Sequence, residues 1–371
     1  MMDVDVDPDP TELARWLADE TLRLCQIPSV TGDEAALCDD LEARLGRLAA
    51  AGQPLTLRRL GNTLLVQRLR RPGRPLVGLF GHSDTVKPAA SQPLRIDEAT
   101  GRVYGCGASD MKGGLAVMLR LLAEADALPY DLLCVFYDKE EGPAADSGIL
   151  PLCQPPGGAP SPLAALDLAL CLEPTDGEIH AGCIGGLQAL VTARGRRAHS
   201  ARPWQGDNAI YAALPLLERL RDGKRREVIV GGLPFYEVLT ATTAATQNSR
   251  NVVPDRFVLN LNYRFAPDKE PAQARAELLD FIGPGYDVEI VDEAPPGAVR
   301  LDAPLLRDWL ARTGLAVAAK QAWTDVARLT ALGLCAVNFG PGDTAEAHQA
   351  NESVSVAALV RACRLLREIA R

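Results

Sequence analysis

The chain of 371 residues contains only four histidines, His82, His180, His199 and His348, so chemistry that needs imidazole has few places to sit. It contains no run near the roughly 20 apolar residues that a membrane helix needs. No basic region followed by an apolar stretch opens it. Residues 1–10 alternate Asp with Val and Pro, and they read as a frayed leader, not a secretory signal. The nine cysteines are odd in number and irregular in spacing, and they include no Cys-x-x-Cys. That pattern predicts reduced, buried thiols in a cytoplasmic protein. Positive charge is scarce as well: 39 Lys and Arg face 48 Asp and Glu, a formal charge of −9. Such a balance argues against nucleic acid as a partner. A small anionic substrate remains compatible, because a local basic pocket can oppose the global field. No Gly-x-Ser-x-Gly follows a strand, which argues against a nucleophilic hydrolase. There is no internal repeat, and the Pro- and Gly-rich residues 151–162 read as a surface loop.

What is present fits a globular protein: 47% of residues are hydrophobic and 23% charged. The length exceeds one ordinary core and predicts two domains. Helical periodicity appears from Thr11, with Leu13, Trp16 and Leu17 on one face, and again over 33–48. Short apolar runs at 75–80, 132–137 and 168–172 read as buried strands. Between the first two, 113–125 reads as a helix opened by Gly113 and Gly114. This alternation predicts an α/β fold with a mostly parallel sheet flanked by helices.

The texture changes after Glu173. Strands are expected near 187–193, 236–244, 257–265 and 288–292, and helices near 208–220 and 271–281. Leu259, Leu261 and Tyr263 alternate with Asn260, Asn262 and Arg264, which gives that strand one buried and one polar face. The segment 178–293 is therefore expected to be an inserted α+β domain with a four-stranded sheet and two helices on one side. Helix, strand and helix resume at 303–312, 326–332, 335–339 and 354–369. The first domain is thus expected to comprise 1–177 and 294–371.

The polar residues of interest fall at strand ends. One strand runs into Gly81-His82-Ser83-Asp84, a second into Asp138-Lys139-Glu140-Glu141, and a third into Glu173-Pro174. A late strand runs into Gly340-Pro341-Gly342, with His348 shortly after. Ligands in open α/β sheets bind outside the carboxyl ends of strands, so these ends are expected to meet in one crevice. A pair such as Glu140-Glu141 is usually a solvated face, and a lone histidine is usually structural. At the end of a buried strand, however, adjacent carboxylates would repel and desolvate unless a cation joined them. Carboxylates with neutral imidazoles suit zinc. Asp110 opens a helix and reads equally as an N-cap or as a residue facing the crevice.

Five strings in order resemble the two-zinc metallopeptidase and aminoacylase family: GHSDTV at 81–86, GASDMKGG at 107–114, DKEEG at 138–142, LEPT at 172–175 and AHSARPWQGDNAI at 198–210. The resemblance spans nearly the whole chain. It implies two zinc ions, for which cobalt can substitute, with Asp110 as the bridge. His82 and Glu173 would complete one site, and Glu141 and His348 the other. Glu140 would be the general base, and Asp84 would orient the His82 ring. A cis peptide is implied after Asp110. In the inserted lid and dimerisation domain, His199 would reach across a homodimer interface to stabilise an oxyanion. Asn251, Arg264 and Gly340 would contact substrate.

Within that family, NYRFAPD at 262–268, WTDVAR at 323–328 and NFGPGD at 338–343 most resemble the actinobacterial succinyl-diaminopimelate desuccinylases. Asn351 departs from the Asp often found there. The implied substrate carries three carboxylates, for which Arg194, Arg202, Arg250 and Arg264 are candidate partners. Another amide hydrolase of the family, acting on acetylornithine or a dipeptide, is the alternative. A non-catalytic binding protein on the same scaffold would be expected to lack the base or a ligand.

Overall fold

The computed structural model describes residues 10–371, so the reading of the N-terminal leader lies almost wholly outside the described residues. The chain divides into two compact units. The first comprises the residues up to Ala181 with Arg300–Ala318 and Arg328–Arg371, and the second comprises Gly182–Val299 with Ala319–Ala327.

The first unit is built on an eight-stranded sheet. Its order is Leu55–Leu60, Thr63–Arg68, Asp131–Tyr137, Leu76–His82, Leu168–Cys171, Ala336–Asn338, Ile179–Ala181 and Val317–Ala319. The four middle strands run parallel. Every residue of Leu76–His82 and Asp131–Tyr137 is buried, as expected for apolar runs covered on both faces. The flanks are antiparallel: a hairpin joins Leu55–Leu60 to Thr63–Arg68, and Ile179–Ala181 pairs with Ala336–Asn338. The sheet thus keeps the expected parallel strands at its centre and adds antiparallel ones at its flanks. Leu55–Leu60 is half-exposed, with Arg58 and Arg59 in it, and so lacks the continuous apolar signal of a central strand.

Helices Pro10–Gln26, Gly113–Ala123 and Val356–Arg367 pack against one another. Gly113–Ala123 is almost wholly buried, and its glycines permit that. A Cβ on Gly114 would lie 2.7 Å from the carbonyl oxygen of Leu172. Ser355 caps the last helix by accepting the N–H of Ala358. The buried ammonium of Lys112 donates to the carbonyls of Leu24 and Ile27, and so satisfies the C-terminal end of the first helix. The stretch 151–162 is not wholly loop, because a helical turn covers Leu150–Cys153. Six of the nine cysteines are buried and three are half-buried, and all are free thiols. Among the described residues, no helix is long and apolar enough to cross a membrane.

The second unit carries an antiparallel sheet of five strands, in the order Arg226–Val230, Leu233–Ala245, Arg256–Phe265, Gly185–Arg194 and Tyr286–Ala294. Leu216 of helix Leu214–Asp222 and Ala274, Leu278 and Ile282 of helix Pro271–Ile282 pack on Leu187, Val191, Leu259 and Leu261. Away from this core, Asn260 donates to Gln188 and Thr242, making a polar ladder across three strands. The four expected strands are all present. The fifth, Arg226–Val230, folds back through Gly231 and Gly232, with φ of 58° and 82°. Two consecutive positive φ values suit a tight two-residue hairpin, and glycine adopts them without strain. The charged Lys224-Arg225-Arg226-Glu227 run hides this strand in the sequence.

Candidate metal centre

The polar strand ends of the first unit meet. His82 closes strand Leu76–His82, and Glu173 follows Leu168–Cys171. Glu140 and Glu141 lie just beyond Asp131–Tyr137, and Asp110 lies in a kinked, non-helical stretch of backbone ahead of the helix Gly113–Ala123. His82 Nε2 stands 3.0 Å from Asp110 Oδ1 and 3.9 Å from Glu173 Oε1. His348 Nε2 stands 2.6 Å from Glu141 Oε1 and 3.7 Å from Asp110 Oδ2. Asp110 thus turns one oxygen to each histidine. The peptide between Asp110 and Met111 is cis.

These residues fit metal ions by the chemistry of their donor atoms. His82, Asp110 and Glu173 form one group, and Asp110, Glu141 and His348 a second. Within each, the ligand atoms lie within 4.8 Å of one another. Imidazole nitrogens with carboxylate oxygens are the donors that zinc accepts. His82, Glu140 and Glu141 satisfy the same criterion, so geometry alone does not separate the two adjacent glutamates.

Asp84 organises one side of the centre. Its carboxylate accepts the N–H of Glu140 at 3.0 Å and of Glu141 at 3.1 Å, and the hydroxyl of Thr31 at 3.0 Å. Toward His82, the nearer acceptor for Nδ1 is the Asp84 backbone carbonyl at 3.0 Å, with the carboxylate at 3.5 Å. A ring nitrogen held this way fixes which nitrogen faces the metal. Burial works against an ionised Asp84, but His82 and the two N–H groups hold its carboxyl below the usual range. His82 is itself buried, which disfavours its charged form, yet Asp110, Asp84 and Glu140 together hold its pKa well above the ordinary value. His348 is raised to about 9, first by its hydrogen bond to Glu141. A crowd of carboxylates calls for positive charge, and bound cations would supply it without protons.

Two residues flanking the centre hold left-handed backbone, Lys139 at φ 59° and His348 at φ 63°. Neither is glycine, and such conformations cluster at functional sites. Gly340 lies behind Glu173. A Cβ there would come within 2.3 Å of the Leu172 carbonyl oxygen and 2.4 Å of that of Glu173. Its need for glycine is accounted for by this close approach of two strand ends.

Glu352, directly after Asn351, also belongs to the surroundings of the centre. It is buried, and its carboxylate accepts the N–H groups of Gly107, Ser109 and Asp110. Burial raises its pKa to about 7, against these three donors, which favour the ionised form. The only signal in the sequence was an acid four residues after His348.

The remaining candidates lie in the second unit. His199 is exposed on the short strand Ala198–His199, and its Nδ1 accepts the N–H of Ala201 at 3.0 Å. Asn251 adjoins it: its carbonyl accepts the N–H of Ser200 at 2.9 Å. Arg264 sits on strand Arg256–Phe265 across from Gly186, where a Cβ would lie 3.0 Å from the guanidinium. Its side chain is half-buried, and burial lowers its pKa. Arg194 is engaged elsewhere, in an exposed ion pair with Asp287 at 2.7 Å.

The chain is similar to known proteins along nearly its whole length. The chain is 40% identical over 366 residues, 98% of each chain, to the Mycobacterium tuberculosis protein provisionally named succinyl-diaminopimelate desuccinylase DapE. It is 37% identical over 358 residues, 94% of each chain, to the succinyl-diaminopimelate desuccinylase of Corynebacterium glutamicum. A solved tripeptidase from Staphylococcus aureus superposes with a TM-score of 0.75 at 20% identity, covering 96% of this chain and 97% of that one, and so shares the fold. The model of peptidase family M20/M25/M40 matches residues 78–371, from the first buried strand to the last residue, and the chain belongs to that family.

Proposed function

We propose that the chain is a zinc-dependent amide hydrolase that removes succinate from N-succinyl-LL-2,6-diaminopimelate. The observation that carries this reading is the end-to-end similarity to two proteins named for that reaction. The paired donor groups around Asp110 support the metal. In this reading Asp110 would be shared between two zinc ions, with His82 and Glu173 holding one and Glu141 and His348 the other. Bound zinc would polarise the scissile carbonyl and ease loss of a proton from the attacking water. Glu140 takes that proton and hands it to the departing amine nitrogen. Asp84 holds the His82 ring and the turn that carries Glu140. His199 donates to the carbonyl oxygen as it gains charge. Arg264, Asn251 and Gly340 contact substrate. The planar guanidinium of Arg264 matches a carboxylate, and Gly186 leaves room for it. A cytoplasmic enzyme suits nine free thiols.

The substrate is tested by steady-state kinetics on the purified, zinc-loaded protein. Its kcat/KM for N-succinyl-LL-2,6-diaminopimelate is expected to exceed that for N-acetylornithine by about a hundredfold or more. A site built to pair charged groups rejects analogues that leave those groups unpaired. The reverse order would sink the substrate reading while leaving amide hydrolysis intact.

The second unit is proposed as lid and as the surface through which two copies pair. Strand Leu233–Ala245 outruns its hairpin partner, which covers only Leu233–Glu237. Val238, Thr240, Thr242 and Thr243 beyond it are exposed. An open edge of β-forming residues is a template for pairing, and a second copy would cover it. In such a dimer each His199 serves the opposite centre. Mixing inactive His199→Ala with inactive Glu140→Ala should therefore restore activity, because each heterodimer has one site with both residues intact. Recovery is expected up to about half the wild-type value per heterodimer if the sites are independent. Demonstrated subunit exchange without recovery would rule out this use of His199.

A further inference from the structure

We infer that Glu352 is a positioning residue for the metal centre: it locks the loop that carries the bridging Asp110 to the loop that carries His348. The inference rests on the metal reading above and goes beyond the ligands and the base.

Three observations carry it. First, the Glu352 carboxylate is buried, and both of its oxygens are committed to one loop. Oε1 accepts the N–H of Ser109 at 2.9 Å and of Asp110 at 2.9 Å, and Oε2 accepts the N–H of Gly107 at 2.8 Å. With the carboxylate ionised, these are charge-assisted bonds to backbone, stronger than neutral ones. Second, one of the three is the N–H of Asp110 itself, whose side chain turns Oδ1 toward His82 and Oδ2 toward His348. A small rotation of that residue would favour one side at the expense of the other. Third, the backbone around Glu352 is fastened to the same region. Its carbonyl accepts the N–H of Gly105 at 3.1 Å, and the next strand, Ser353–Ser355, pairs with Arg102–Tyr104. Glu352 also closes a turn with Gln349, directly after His348. One side chain therefore sets the distance between two ligands that lie far apart in the chain.

A glutamine cannot take over this role. Its single oxygen can serve Ser109 and Asp110, but its amide then faces the N–H of Gly107, donor against donor. Flipped, it abandons two donors instead of one. Groups that hold metal ligands in place cost about 10–100-fold in metal affinity when they are replaced.

The test compares zinc-loaded wild-type, Glu352→Gln and Glu352→Asp proteins, each dialysed against buffers of graded free zinc. Zinc per chain is read by elemental analysis, and melting temperature is recorded in parallel. Glu352→Gln is expected to release at least one ion at a free zinc concentration about tenfold or more above that for wild type. Glu352→Asp keeps the charge with a shorter reach, and it should fall between the two. A Gln variant that is folded and holds both ions as tightly as wild type, whatever its melting temperature, would reduce Glu352 to a structural clamp and overturn the inference. If the Gln variant does not fold, the Asp variant decides, and wild-type affinity in it overturns the inference equally. Wild-type protein that binds no zinc at any concentration is a separate result, and it would remove the metal reading itself.

Discussion

Glu140→Gln is expected to lower kcat by roughly a thousandfold or more while leaving two zinc ions in place, because a positioned general base contributes about 10²–10⁴ in rate. The two adjacent glutamates differ in what they touch. Glu141 places Oε1 2.6 Å from His348 Nε2, inside the group that includes Asp110. Both are held through their backbone, the N–H of Glu140 meeting Asp84 Oδ1 at 3.0 Å and that of Glu141 meeting Asp84 Oδ2 at 3.1 Å, so the contact with His348 is what sets Glu141 apart. The turn that presents both has left-handed Lys139 immediately before it, so the orientation of the pair is set before any ligand arrives. Glu141→Ala is accordingly expected to lose metal as well as turnover. Zinc analysis beside kcat for each variant separates the roles. If both variants lose zinc to the same extent, the assignment within the pair is wrong.

Removal of metal is expected to abolish activity and lower the melting temperature, with both restored by zinc or cobalt. Asp110, Glu140, Glu141 and Glu173 gather with two histidines whose rings are already drawn toward protonation. Without cations these carboxylates repel one another, and water lacks an activating Lewis acid. A ligand that binds only the folded state at about a hundred times its Kd adds about 2.7 kcal/mol of stability, so the chelated protein should melt several degrees lower. The pH dependence has a definite sign. His348, raised to about 9 chiefly by Glu141, must lose its proton to bind metal. Zinc affinity should therefore rise with pH through the neutral range and level off near that value. Dialysis against a chelator, followed by activity and melting measurements with and without added zinc, checks the expectation. Full activity in protein shown to be metal-free would end the zinc mechanism.

Much of the scaffold was legible because its signals are local. The runs at 76–82, 131–137 and 168–171 are apolar enough to be buried on both faces, and the alternation at 256–265 marks one wet face. The chemistry-bearing strings sit at the ends of those runs, so their meeting in one place could be anticipated from the general habit of parallel sheets. The edges were less legible. Leu55–Leu60, Arg226–Val230 and Val317–Ala319 are short or half-exposed, and their pairing depends on partners whose surface they complete. A short strand with no fully buried residue carries too little periodic signal to stand out from a charged loop.

By itself, the sequence determined which donor atoms exist, the order in which strands deliver them, and the family to which the chain belongs. Only the tertiary structure decided their division of labour. It turned the two oxygens of Asp110 toward different histidines and put the Asp84 carbonyl nearer than its carboxylate to the His82 ring. It also committed Glu352 to three N–H groups more than 240 residues earlier in the chain. The physical reason is that a side chain's role at a metal centre depends on directions and distances of tenths of an ångström. Those are set by which backbone donors and acceptors the packed loops leave to be satisfied, and residue spacing along the chain does not encode them.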